Sequence, residues 1–165
     1  MVHQVRTRPA NQGPAFLRAM STSIKDLLET LADGAEGFTK ASESVKDTGL
    51  KTLFAGFAAE RQEMIGELET YAPTEPGDDS PTITGAIHRG WINLKAILTS
   101  GDDHAILAEC ERGEDHALEV FRGAVEEPLA PEVASTVNSI ATRILAVHNQ
   151  VKELRDAVAA GAAAS

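Results

Sequence analysis

The amino-acid sequence predicts an all-α domain, and three observations lead to this prediction. The 165 residues include 26 alanines, and alanine is the best helix former, whereas aromatic residues, which favour strands, make up 4%. The seven prolines fall between five long segments or at their starts, and proline is tolerated there but breaks helix interiors. Within these segments, apolar residues recur with the 3.6-residue period of an amphipathic helix, and none shows the alternation of a half-buried strand.

The first two predicted helices span about 21–46 and about 48–71 and are separated by a short break. Asp47 in this break is a good N-cap for the second helix. The apolar stripe of the first helix is Ile24, Leu27, Leu28, Leu31, Ala35, Phe38, Ala41 and Val45, and that of the second is Leu50, Leu53, Phe54, Phe57, Met64 and Leu68. Because the turn between them is tight, the two helices are expected to be antiparallel neighbours.

Three further helices are predicted over about 81–98, about 103–126 and about 131–158. The last two are joined by a short turn and form a second antiparallel hairpin. The long connection between the hairpins, residues 72–102, contains the extra helix, whose Trp91 is expected to anchor it on the bundle. Two antiparallel hairpins joined by one long crossover are the connectivity of a ferritin-like four-helix bundle.

The domain organisation follows from these helices. Residues 21–158 are expected to form the bundle, with a flexible N-terminal extension over 1–20 and a flexible tail over 159–165. A chain of this length can bury a core of its own without disulfides.

The composition excludes several classes of function. The net charge of −10 leaves little room for the basic surface that binds nucleic acid. The longest apolar runs are too short to span a membrane, and the N-terminus lacks the hydrophobic stretch of a signal peptide. The single cysteine, Cys110, excludes an intrachain disulfide and is expected to be a small core residue. We therefore expect a cytoplasmic protein without nucleic-acid or membrane partners.

Several polar residues fall on or near the apolar stripes. A polar side chain that faces a bundle interior costs free energy unless it has a partner there. Glu60 lies among the apolar positions of the second helix, Glu114 among those of the fourth, and His148 among those of the fifth. Glu36 lies at the edge of the first stripe, and Glu111 shares the face of Glu114 one turn earlier.

These residues also lie at similar heights in the expected bundle, within about one helical turn of each other. Buried carboxylates repel one another and resist desolvation, so their convergence requires a metal, an arginine or shared protons. Oxygen-rich ligands with one imidazole suit iron or manganese. The sequence therefore predicts that any metal is held by Glu36, Glu60, Glu114 and His148, with Glu111 in reserve.

The same residues carry a resemblance to carboxylate-bridged di-iron proteins of the ferritin and rubrerythrin type. Those proteins use one Glu from each of two helices and a Glu-x-x-His from each of the other two. Here the series reads Glu36, then Glu60-Arg-Gln-Glu63, then Glu111-Arg-Gly-Glu114, then Leu145-Ala-Val-His148. Glu63 thus replaces an expected His and Leu145 an expected Glu. The missing Glu at 145 implies one metal, or one strong and one weak site, rather than a matched pair.

A more specific resemblance covers about residues 22–156. The chain resembles a family of bacterial ferritin-like four-helix-bundle proteins of unknown function through the strings DGAEGF, GAIHRGWINLKAILTSGDD, ECERGEDHALEVF and VHNQVKELRD. This resemblance implies the fold and implies no particular activity.

Two functions remain open at this point. One is a metal-binding protein that handles iron or peroxide. The other is a non-catalytic helical interaction or stress-response module, in which Arg61 and Arg112 pair with the inward acids in place of a metal. In either case a homodimer is expected, because the extra helix adds apolar surface and two-fold dimers are the commonest oligomers.

Overall fold

The computed structural model describes residues 14–72, 99 and 101–163, with side chains placed within these ranges from residue 23 to residue 161. It contains four helices: α1 (Pro14–Ser44), α2 (Thr48–Glu69), α3 (Asp103–Glu126) and α4 (Pro131–Ala163). No strand occurs in these ranges, so the all-α prediction is confirmed there. The predicted helix over 81–98, with Trp91, lies outside the described residues.

The helix ends follow from local sequence. The side chain of Asp47 caps α2 by accepting a hydrogen bond from the backbone N–H of Leu50 at 2.8 Å. The side chain of Asp102 caps α3 in the same way, from the N–H of His104 at 3.0 Å. Gly101 precedes this cap with φ of 62°, a left-handed conformation that favours glycine.

Two outer boundaries differ from the sequence prediction. The first helix begins at Pro14 rather than near residue 21, because proline is well suited to the first helical turn and no breaker follows it. The last helix continues to Ala163 rather than ending near residue 158, because its C-terminal residues are almost all alanine. Part of each segment that was expected to be flexible is therefore helical.

The four helices form a bundle in which each helix has two neighbours. The helix α1 packs against α2 and α3, and α4 packs against α2 and α3, so α1 and α4 are diagonal, as are α2 and α3. The carboxylate of Asp103 accepts hydrogen bonds from the N–H groups of Lys46 and Asp47, which places the start of α3 beside the α1–α2 turn. The hydroxyl groups of Tyr71 and Thr136 lie 3.2 Å apart, which places the end of α2 beside the start of α4.

These contacts fix the connectivity. Neighbouring helices are antiparallel and diagonal helices are parallel. The end of α2 and the start of α3 therefore lie at opposite ends of the bundle, separated by the length of α2, whose 22 residues span about 33 Å. Two antiparallel hairpins, α1–α2 and α3–α4, are thus joined by one long connection. No helix in the described part of the chain is long and apolar enough to cross a membrane.

The apolar core is divided into two clusters along the bundle. The lower cluster, on the side of the α3–α4 turn, has as its buried residues Ile24, Leu27, Leu28, Leu31, Met64, Ile65, Leu68, Ala117, Leu118, Phe121, Ala124, Val133, Val137, Ile140 and Ile144. The upper cluster, on the side of the α1–α2 turn, has Phe38, Ala41, Val45, Leu50, Phe54, Phe57, Ala58, Ile106, Leu107, Cys110, Val147 and Val151. The region between the clusters contains the charged residues that the sequence singled out.

Candidate functional site

An ion pair between Arg61 of α2 and Glu114 of α3 crosses the bundle interior between the two apolar clusters. Each residue is 1% exposed, and Nη2 of Arg61 donates a hydrogen bond to Oε2 of Glu114. The other terminal nitrogen, Nη1, lies 3.2 Å from the sulfur of Met64, and the guanidinium carbon lies 5.8 Å from the ring centre of Phe38. Because α2 and α3 are diagonal, this pair spans the centre of the bundle.

Gly34 of α1 provides the space for the arginine side chain. A Cβ atom at this position would lie 3.2 Å from Nε and 3.4 Å from Cδ of Arg61, closer than most such contacts. The glycine in the Asp33-Gly34-Ala35 string therefore has a packing reason, since it allows Arg61 to lie against the backbone of α1. Three helices together build the site.

The electrostatics of the pair are dominated by burial. The pKa of the Glu114 carboxyl is raised from its ordinary value of 4.5, because removal from water disfavours the carboxylate by more than the Arg61 guanidinium favours it. Smaller effects come from His148, which lowers this pKa, and from Glu60, which raises it. The ion pair gives both buried side chains a hydrogen-bond partner, but the carboxylate form of Glu114 is still less favourable here than it is in water.

Glu60 lies at the contact between α2 and α4 rather than in the interior. Its side chain is 32% exposed, and its Oε1 accepts a hydrogen bond from Nε of Arg143 at 3.0 Å. Arg143 also donates through Nη1 to Glu67 at 2.8 Å and approaches Glu63 at 3.5 Å. A single arginine thus holds three carboxylates along one edge of α2.

Glu111 and His148 lie at the contact between α3 and α4. Glu111 accepts a hydrogen bond from Nη1 of Arg155, and its side chain is 11% exposed. Nε2 of His148 lies 2.8 Å from Oδ1 of Asp115, and the imidazole is 14% exposed. Both residues join the two helices of the second hairpin.

Glu36 does not point into the bundle. Its carboxylate pairs with Lys40 one turn later on the same helix, and its side chain is 34% exposed. The interior positions of α1 at this height are Gly34, Ala35 and Phe38, which are all buried. The sequence placed Glu36 at the edge of the α1 stripe, and its side chain lies outside the interior that Glu114 occupies, so its role as a metal ligand stays a prediction.

The described residues do not form the donor set of a di-metal centre. No group of three or more His, Cys, Asp or Glu residues within them is placed to hold a metal ion. On α4, Ile144 and Val147 fill the interior, and Leu145, at the position of the expected Glu, is 39% exposed. Of the five predicted ligands, Glu114 is in the interior, and its partner there is a guanidinium.

The pairing of acids with arginines was expected as the alternative to a metal, and it is confirmed for Arg61 and Glu114. It is wrong for Arg112, which binds Glu109 of its own helix with Nε at 2.9 Å from the carboxylate. Glu109, only 3% exposed, was not predicted to be buried.

Sequence reasoning missed that Arg61 itself is an interior residue. The buried positions of α2 include Phe54, Phe57, Arg61, Met64 and Leu68, which follow helical spacing. The stripe drawn through residue 60 instead of 61 differs by about 100° in direction. Residues 60 and 61 both fit helical spacing between Phe57 and Met64, so no signal in the sequence separated them. Cys110 is buried as expected, and burial, followed by the charges of Glu114 and Glu109, raises the pKa of its thiol well above the usual value.

Comparison with known proteins gives a family and no activity. Residues 19–127 match the model of a protein family described as a domain of unknown function (DUF2383). The matched region contains most of α1, all of α2 and all of α3, including Arg61 and Glu114, and ends just before α4. No curated protein matches the chain.

Proposed function

The chain belongs to the DUF2383 family, a domain of unknown function, and we propose that it is a non-catalytic helical module that acts through contacts with other proteins. The observation that carries this proposal is the buried Arg61–Glu114 pair. Guanidinium groups already pair with both candidate ligands that are buried, Arg61 with Glu114 and Arg155 with Glu111, so neither needs a metal to compensate its charge.

The surroundings of the pair support the same function. The other four candidate ligands are engaged by Arg143, Arg155, Lys40 and Asp115 at the helix edges. A catalytic or metal site requires free donors that converge on one point. Glu60, Glu111 and His148 instead join one helix to another, and Glu36 pairs within α1. Such contacts are the chemistry of a scaffold.

We also propose that the fold is ferritin-like. Two observations support this proposal: the helices form two antiparallel hairpins, and the end of α2 and the start of α3 lie at opposite ends of the bundle. In the metal-binding members of this architecture, cations occupy the bundle core, and Arg61 would take that role here with its own charge. Iron or manganese binding is then the competing function, and the experiment below separates the two.

The experiment measures metal content and thermal stabilisation. The full chain is purified without chelator, its iron and manganese are quantified, and its Tm is recorded with anaerobic Fe(II), with Mn(II) and without metal. A metal that binds the folded state must raise the Tm by mass action. We expect substoichiometric metal and no increase in Tm.

Two variants make this test specific. Glu114→Gln removes the interior carboxylate, and Glu119→Gln removes an exposed carboxylate from the same helix. Stoichiometric metal together with a Tm increase that Glu114→Gln abolishes and Glu119→Gln retains would refute the scaffold function and establish metal binding.

Self-association is the partner interaction that we propose first, as a homodimer. Two-fold dimers are the commonest protein oligomers, and Val125 and Leu145 of the second hairpin are large apolar side chains that are each 39% exposed. Sedimentation at micromolar concentration should give about twice the chain mass of 17.5 kDa. A species of 17.5 kDa throughout the concentration series would reject the dimer.

A further inference from the structure

Polar contacts between the two hairpins occur at three heights of the bundle. Asp103 binds the backbone N–H groups of Lys46 and Asp47 at one end, and the hydroxyl groups of Tyr71 and Thr136 meet at the other. Between them lie the Arg61–Glu114 pair and the contacts of Arg143 with the acids of α2. The end contacts involve exposed or half-buried groups, whereas the central pair is fully buried.

The apolar clusters by themselves discriminate weakly between alternative alignments of the hairpins. Their buried residues are mainly Leu, Ile, Val, Ala and Phe, repeated at helical spacing on every helix. A slide of one hairpin along the other by one helical turn, about 5.4 Å, brings a similar set of side chains together. Apolar burial is non-directional and opposes such a slide weakly, so within the clusters the opposition comes from the shapes of side chains such as Phe38, Phe54 and Phe57.

The central pair responds very differently to a slide. Arg61 fits in one position, against Gly34, near the ring of Phe38 and in hydrogen-bond contact with Glu114. A shift of one turn would place the guanidinium and the carboxylate at different heights in an apolar interior. Two buried charges would then lack their partners, which is strongly unfavourable.

We propose that the Arg61–Glu114 pair is a register lock, which selects one alignment of the α1–α2 hairpin against the α3–α4 hairpin. The pair acts by penalising the other alignments and does not act mainly by stabilising the native one. Burial raises the pKa of Glu114, which agrees with a pair that gives the native state little net stability.

The test replaces the pair with apolar residues of similar volume, in the variant Arg61→Met/Glu114→Leu. The matched control is Arg155→Met/Glu111→Leu, which removes an Arg–Glu pair inside the second hairpin and leaves the contacts between hairpins intact. Spin labels are attached to cysteines introduced at Thr52 and Ser139, exposed positions of α2 and α4, in a Cys110→Ala background.

The measurement is the distribution of distances between the labels, with an excess of unlabelled protein to suppress distances between chains. The contact of Tyr71 with Thr136 places Ser139 level with about residue 68 of α2, so the labels are offset along the bundle by about 16 residues, or about 24 Å. A slide of one turn therefore changes their separation by several ångströms. We expect one narrow distribution for the unmodified interior and for the control. The Arg61→Met/Glu114→Leu variant should keep its helix content and its Tm but show two or more populations.

A single narrow distribution at the original distance in Arg61→Met/Glu114→Leu would overturn the proposal, because the alignment would then be fixed without the pair. Loss of helix content or a large fall in Tm in this variant would overturn it as well, because the pair would then be a source of stability. The circular dichroism spectrum and the Tm of both double variants are therefore recorded before the distances.

Discussion

Glu114 offers the sharpest test of the electrostatics, because two substitutions at this position should have opposite consequences. Glu114→Ala removes the acceptor and leaves the guanidinium of Arg61 buried without a partner. Breaking a buried pair in this way costs about 3–5 kcal/mol. In a chain of this length, about 1 kcal/mol corresponds to roughly 2–4 °C in Tm, so a loss of about 10 °C is expected.

Glu114→Gln keeps an amide oxygen that can accept the hydrogen bond from Arg61. Gln also resembles the protonated carboxyl, which burial makes more favourable relative to the carboxylate than it is in the unfolded chain, as the direction of the pKa shift indicates. We therefore expect Glu114→Gln to match or exceed the stability of the unsubstituted chain at pH 7. Urea unfolding of the three proteins, followed by circular dichroism, gives the free energies.

The pH dependence of the same measurement follows from the direction of the shift. Because the pKa of Glu114 is higher in the folded than in the unfolded state, its stabilising contribution is fully present below the unfolded value near 4.5. This contribution is lost as the pH rises through the folded value. The stability of the unsubstituted chain relative to Glu114→Gln should therefore fall as the pH is raised from about 4 toward neutrality.

The difference in the free energy of unfolding between the unsubstituted chain and Glu114→Gln removes the effect of the other carboxylates, which titrate in both proteins. If Glu114→Gln loses as much stability at pH 7 as Glu114→Ala, or if the difference curve rises with pH, desolvation does not dominate at this site. The reasoning given for the raised pKa would then be wrong.

Three further outcomes are expected from single substitutions, each checked by urea unfolding. Gly66→Ala should raise the free energy of unfolding by about 0.5–1 kcal/mol through helix propensity, because a Cβ atom at residue 66 has nothing within 4 Å. Gly34→Ala should raise it less or lower it, because the new Cβ meets Arg61 at 3.2 Å. Equal gains in the two variants would contradict the packing argument. Arg143→Ala should lower the free energy of unfolding by about 1 kcal/mol at low salt and by much less at 1 M salt, because the side chain is 27% exposed and salt screens its ion pairs. An unchanged loss at high salt would show that packing, and not charge, is responsible. Asp103→Ala should lower the free energy of unfolding by about 1 kcal/mol or more, because it removes the acceptor of two backbone N–H groups in the α1–α2 turn. Asp103→Asn, which keeps one oxygen acceptor, should recover part of this loss. No loss in Asp103→Ala would mean that water replaces the carboxylate.

The sequence by itself determined the four helices in the described part of the chain and their order. Asp47 and Asp102 can each satisfy a free N–H group at a helix start, and prolines such as Pro131 fit first turns but not interiors, so these signals act within a few residues. The short turns also determined which helices form hairpins, since a tight turn can only join antiparallel neighbours. The start of α1 and the end of α4 were not predicted, because no proline separates residues 15–20 from α1 and because the end of α4 is rich in alanine.

The tertiary structure decided which charged residues lie inside. Glu60 and Arg61 are adjacent in the sequence and point about 100° apart on the helix, and the periodicity of one chain does not resolve that difference. Their roles depend on where α4 and α3 lie relative to α2: α4 presents Arg143 to Glu60 at the edge, and diagonal α3 presents Glu114 to Arg61 across the centre. Those positions result from packing between hairpins that are distant in the sequence, so no local pattern of residues contains them.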